Sequence, residues 1–160
     1  MRKLLNLVPA ISLAVAMLAS HPAAAAANAV TVVGTINGGG TALMTSGPGA
    51  GDKSVSSFGF HATLFSDGTA TGHVDCVDQM GDKSTGNIFG DVTGWSLGPY
   101  GLTLFVTGTL VAIPGGHPID RTFKITIQTF GGAGVGHWTL GPPASPFCIE
   151  LLISGQLRWD

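Results

Sequence analysis

From Phe58 onward the chain alternates apolar and polar residues with a period of two. Phe58, Phe60, Ala62 and Leu64 share one phase; Gly59, His61, Thr63 and Phe65 share the other. Such alternation is the imprint of a β-strand with one dry face. A second run follows, with Ala70, Gly72, Val74 and Cys76 set against Thr69, Thr71, His73 and Asp75. Between them, Ser66-Asp67-Gly68 suits a three-residue hairpin loop with Gly68 in the left-handed position. That register pairs Phe58 with Cys76, Phe60 with Val74, Ala62 with Gly72 and Leu64 with Ala70. A two-residue Asp67-Gly68 loop would instead set Phe60 against Asp75 and wet the apolar face. The three-residue register also predicts that His61 and His73 stand opposite each other on the polar face, with Asp75 diagonal to His61.

The same rhythm continues elsewhere. Residues 29–36 form a short β-branched run ended by Asn37-Gly38-Gly39-Gly40, and 41–45 are placed to pair back on it. Residues 86–97 carry Ile88, Val92 and Trp95 among three glycines, which predicts a bent or bulged strand. Gly98-Pro99-Tyr100-Gly101 reads as a turn. In 102–113, Leu102, Leu104, Val106, Gly108 and Leu110 fall on one side. In 121–130, Phe123, Ile125 and Ile127 point inward, and Thr122, Lys124, Thr126 and Gln128 point outward. A short strand is expected at 137–140. The last, 147–159, is expected to turn Ile149, Leu151, Ile153, Leu157 and Trp159 to the core, with Cys148 and Glu150 on the other face. No window after the first thirty or so positions has a helical period with caps. The expected fold is therefore all-β: one antiparallel meander of about eight strands, a closed or partly open barrel, with a two-layer sandwich as the alternative.

The amino-terminal segment has a different character. Met1-Arg2-Lys3 is basic, positions 4–18 are apolar and uncharged, and 23–29 offer several Ala-x-Ala sites. This predicts a signal peptide over 1–27, cut between 24 and 29, ahead of a domain over 28–160. A secreted or periplasmic location follows. Without Arg2 and Lys3, five basic residues face nine acidic ones, a balance that argues against nucleic acid as a partner. In an exported chain, the two cysteines, Cys76 and Cys148, are expected to form one disulfide.

Candidate chemistry is sparse. His61, His73 and Asp75 could converge on a divalent ion, the bland alternative being two solvated histidines. Trp95 and Trp138 are candidate stacking platforms for a flat ligand, with core packing as the other reading. Gly47 to Ser54 superficially suggests a phosphate loop, but Asp52 adds negative charge beside Lys53. His117 and His137 flank Gly/Pro loops. No nucleophile–base motif is present, and no cofactor is expected.

The hairpin pattern Phe58-x-Phe60, Asp67-Gly68, Gly72-His73 resembles one in small secreted bacterial proteins of unassigned function. That resemblance implies a secreted all-β domain and brings no catalytic residue. The reading that follows is a non-catalytic binding or surface module whose partner is a small molecule or a cell-surface component. One alternative is a small barrel enzyme using His61 and His73 for acid–base work on an apolar ligand. The other is an outer-membrane barrel, against which stand a chain ending in Arg158-Trp159-Asp160 and too few aromatics for two girdles.

Overall fold

The structure, a computed structural model, describes residues 29–46, 54–80, 86–111, 116–142 and 144–160. The predicted leader and most of the 47–54 loop lie outside these residues. Nine strands follow in chain order: β1 (Val32–Ser46), β2 (Val55–Phe65), β3 (Thr69–Met80), β4 (Asn87–Gly98), β5 (Gly101–Val111), β6 (Pro118–Thr129), β7 (Gly131–Gly132), β8 (His137–Leu140) and β9 (Cys148–Trp159). Each long strand pairs antiparallel with the next, and β9 returns to β1, which closes an eight-stranded barrel. The two-residue β7 is an extra strand on β9. Closure leaves β1 no free edge, a useful property in a chain with so few charges.

The β2–β3 hairpin has the expected register throughout, from Phe58 opposite Cys76 to Leu64 opposite Ala70. Gly68 sits at φ 84° and its N–H donates to the Phe65 carbonyl at 3.0 Å. The inward phase of β2 meets that of β5, β6 and β8 in a packed interior. Leu64, Leu104, Ile125, Trp138 and Leu152 are essentially inaccessible, and Phe58 packs against Trp138 in a tilted arrangement with ring centroids 5.2 Å apart. The expected bulge in β4 falls at Thr93, between Val92 and Gly94.

Two expectations fail. The first is the break at Asn37-Gly38-Gly39-Gly40: β1 runs straight through it, paired on both sides. These glycines make room rather than a turn. A Cβ on Gly38 would lie 2.4 Å from the Phe60 ring and 2.7 Å from Leu157. The second is the phase of β9. Cys148, Glu150 and Leu152 are buried, whereas Ile153 is half exposed and Ile149 and Leu151 are only partly covered. Opposite Thr41 and Ala42 the β1–β9 register skips Ile153, a bulge that reverses the faces of the strand on either side of it. Leu157, beyond the bulge, points inward as expected. At the bulge the Thr41 N–H donates to Ser154 Oγ at 3.1 Å, and Gly155 adopts φ 86°.

Candidate functional site

Three places gather chemistry. The first is the outer face of β2, β3 and β4, where His61 and His73 stand opposite as predicted. Asp75 lies diagonal to His61 in the register, as expected, and its carboxylate joins that of Asp91 in clamping His73. Nδ1 of His73 lies 3.0 Å from Asp91 and Nε2 lies 3.1 Å from Asp75. The hydrogen bond to Asp91 raises the His73 pKa above its ordinary value; slight burial opposes this and Asp75 adds to it. As an imidazolium, His73 donates from both ring nitrogens and has no lone pair left for a metal. Among the described residues, no three His, Cys, Asp or Glu side chains are arranged to hold a metal ion, so the candidate trio His61, His73 and Asp75 is not assembled as a centre.

The second place was not anticipated. One end of the barrel interior is polar. Ser56 Oγ donates to Glu150 Oε2 at 2.6 Å, and Cys148 Sγ donates to Glu150 Oε1 at 3.6 Å. Ser56 and Cys148 thus meet through Glu150 in a short polar relay, beside which the Ser56 hydroxyl offsets part of the rise in the Cys76 pKa. Ser54 donates to Asp78 just above it, at 3.3 Å. Glu150 is only 2% exposed. Burial pushes its carboxyl up to about 7; the Ser56 and Cys148 hydrogen bonds pull it down and Asp78 adds to the rise. Burial likewise pushes both thiols well up, with the Glu150 charge adding to the effect. Both cysteines are free, not the bonded pair that export favoured. Cys148 donates to Glu150 instead, and Cys76 is buried in the core.

A signal for this cluster is present in the sequence. The dry phase of β2 continues backward from Phe58 into Ser56 and Ser54, and that of β3 forward from Cys76 into Asp78. A core that turns polar along two adjacent strands marks a polar barrel end. Glu150 was hidden by the β9 bulge.

The third place is the barrel mouth beside β6. Strand β8 has only four residues and meets β6 no earlier than Ile125. Upstream of that point, Gly141 N–H donates to the Lys124 carbonyl at 2.7 Å, and the chain then swings away to Phe147. The notch opens a cleft of about 250 Å3, lined by Ile88, Leu110, Arg121, Thr122, Phe123, Leu140 and Phe147. A second cleft of about 430 Å3 shares Thr122, Phe123 and Phe147 with it and includes Lys124. The first cleft borders the polar relay, since Ile88 pairs with Cys76 and Leu140 with Cys148.

The aromatic candidates have structural positions. Trp138 is 1% exposed, with its faces covered by the core, and its Nε1 has no hydrogen-bond partner among the described residues. Trp95 donates from Nε1 to the Phe65 carbonyl at 2.8 Å and packs edge-on against Trp159 at the far end of the barrel. His137 is half-buried on β8, which lowers its pKa, and His117 is exposed at the start of β6. Comparison with protein-family models, with curated proteins and with solved structures finds no match for this chain.

Proposed function

We propose that this protein is an exported, non-catalytic binding module: a rigid barrel that presents its mouth to a small ligand. The observation that carries the reading is the packed interior. Phe58, Leu104, Phe123, Ile125 and Trp138 fill the barrel, so ligand-sized space lies at the notch beside β6 and outside the wall. Export rests on the basic Met1-Arg2-Lys3, the apolar run behind it and the Ala-x-Ala sites. A soluble rather than lipid-embedded wall is supported by its outer face, where His73, Asp75 and Asp91 lie mid-strand. Charges there would cost about 2–4 kcal/mol each at a bilayer midplane for basic groups, and less for acidic ones.

A second reading, proton transfer on an apolar ligand, has one observation in its favour: a buried carboxyl that titrates near neutrality, as general acids do. The histidines expected to serve that chemistry sit on the outer face of the wall. A ligand-observed NMR screen of the purified protein against a fragment library separates the readings. Fragments that bind at the notch and are recovered unchanged support the binding module. Conversion of a bound fragment, abolished in Glu150→Gln, would establish the enzyme instead.

A further inference from the structure

We propose that the mouth cleft binds a small amphiphilic anion, its carboxylate paired with Arg121 and its apolar body held against Ile88, Leu110, Phe123 and Phe147. The inference rests on the binding-module reading and adds the ligand class.

The argument begins with charge. Acidic residues outnumber basic ones in this chain, nine to seven. Yet among the described residues neither cleft beside β6 is lined by a carboxylate, and between them they hold Arg121 and Lys124. Among the described residues the remaining base is Arg158, which is paired with Asp160 at 2.8 Å. Lys124 is partly occupied, its Nζ lying 5.5 Å from the centre of the Phe105 ring. Asp120, next to Arg121 in sequence, belongs to the opposite face of β6 and accepts from Thr109 Oγ1 at 3.2 Å. Arg121 has no ion-pair partner among the described residues and lies on the inward phase of β6, at the rim. Its planar fork suits a carboxylate.

Shape and greasiness agree. Phe123 and Leu140 are buried at the base of the cleft, and Phe147 stands 53% exposed at its lip. An apolar side chain left in water beside an unpaired cation is what an amphiphile would cover. At about 30 Å3 for each non-hydrogen atom, the share of one water molecule, the cleft accommodates roughly eight atoms before its open side is counted. That is the size of a medium-chain carboxylate.

The test uses three probes of one chain length: octanoate, octan-1-ol and octyltrimethylammonium, titrated into the full protein by calorimetry. Arg121→Gln and Phe147→Ala are the variants, both at exposed positions so that the barrel persists. Octanoate is expected to bind the wild type most tightly and the cationic probe most weakly. Arg121→Gln should weaken octanoate about tenfold, the usual worth of a charged hydrogen bond, while leaving octan-1-ol within twofold. Phe147→Ala should weaken both. Equal affinity for the anionic and cationic probes, or octanoate binding indifferent to Arg121→Gln, would overturn the anion assignment and leave the binding module standing. Absence of binding by all three probes would also overturn it. The fate of the broader reading is decided separately, by the fragment screen.

Discussion

Ser56 and Glu150 meet at 2.6 Å across the intervening strand β1, one from β2 and the other from β9. This contact sits inside the wall and ties the first hairpin to the last strand. It also holds a carboxyl where its charged form is disfavoured, so stability depends on pH. Glu150 has a raised folded pKa: the native state holds its proton after the unfolded chain has released it. Stability is therefore greatest below about 4.5 and falls as pH rises through about 7. The span corresponds to a loss on the order of 3 kcal/mol. His73 acts in the same direction, contributing stability below its ordinary pKa that is lost as pH rises through its elevated value. His137 runs the other way, its lowered pKa favouring the fold as pH rises towards 6.5. Urea unfolding from pH 4.5 to 8.5 should show a net decline for the wild type and a much flatter profile for Glu150→Gln. Parallel profiles would refute the role given to Glu150.

Removing the donor alone has a different signature. Ser56→Ala leaves Glu150 Oε2 without its short hydrogen bond in a buried site and should cost about 1–3 kcal/mol. Because the Ser56 bond lowers the carboxyl pKa, its loss should move the titration of Glu150 upward. Carbon-13 NMR of the labelled carboxyl reads this directly, and an unchanged or lower midpoint would be the contrary result.

The thiols make a chemical prediction. Burial and raised pKa values keep Cys76 and Cys148 from forming thiolate. The folded protein should react with neither equivalent of an aromatic disulfide reagent over minutes. In denaturant without reductant, both thiols should react. If no thiol appears on unfolding, the pair is bonded in the isolated protein, contrary to the arrangement described.

Glycine substitutions should separate by position. Gly38→Ala drives a methyl into the Phe60 ring and should destabilise by about 1–3 kcal/mol, as overpacking does. Gly59→Ala, on the neighbouring strand with nothing within 4 Å of the added Cβ, should stay within about 0.5 kcal/mol of the parent. Shrinking the ring in Phe60→Leu should recover part of the Gly38→Ala loss, a coupling measurable by a double-mutant cycle.

The hairpin could be read to the residue because its two strands carry unbroken alternation and a loop whose chemistry admits one register. The barrel itself was legible from the number and spacing of such runs. Residues 37–40 were misread because glycine signals two different things, a turn or a close approach, and only the Phe60 and Leu157 side chains on the two flanking strands decide between them. The phase of β9 failed for a related reason. Ile149, Leu151 and Ile153 form a convincing apolar series, but the bulge at Ile153 is dictated by the partner strand and has no mark of its own beyond Gly155. With that phase inverted, Glu150 was assigned to the outside and the polar end went unseen. The cleft beside β6 depends on β8 being short, a length that periodicity does not fix.

The seam between β1 and β9 has a consequence for how the molecule is made. Thr35 and Asp160 exchange a pair of backbone hydrogen bonds at 2.9 Å, and Thr41 reaches Ser154 across a separation of 113 residues. The wall is thus a hoop whose clasp joins the earliest strand to the latest. An incompletely threaded chain has every hairpin it needs but no clasp, and its β1 offers a raw edge to whatever strand is nearby. Closure of this barrel is the long-range, slow step of its assembly, and the edge of β1 stays open until the final strand arrives.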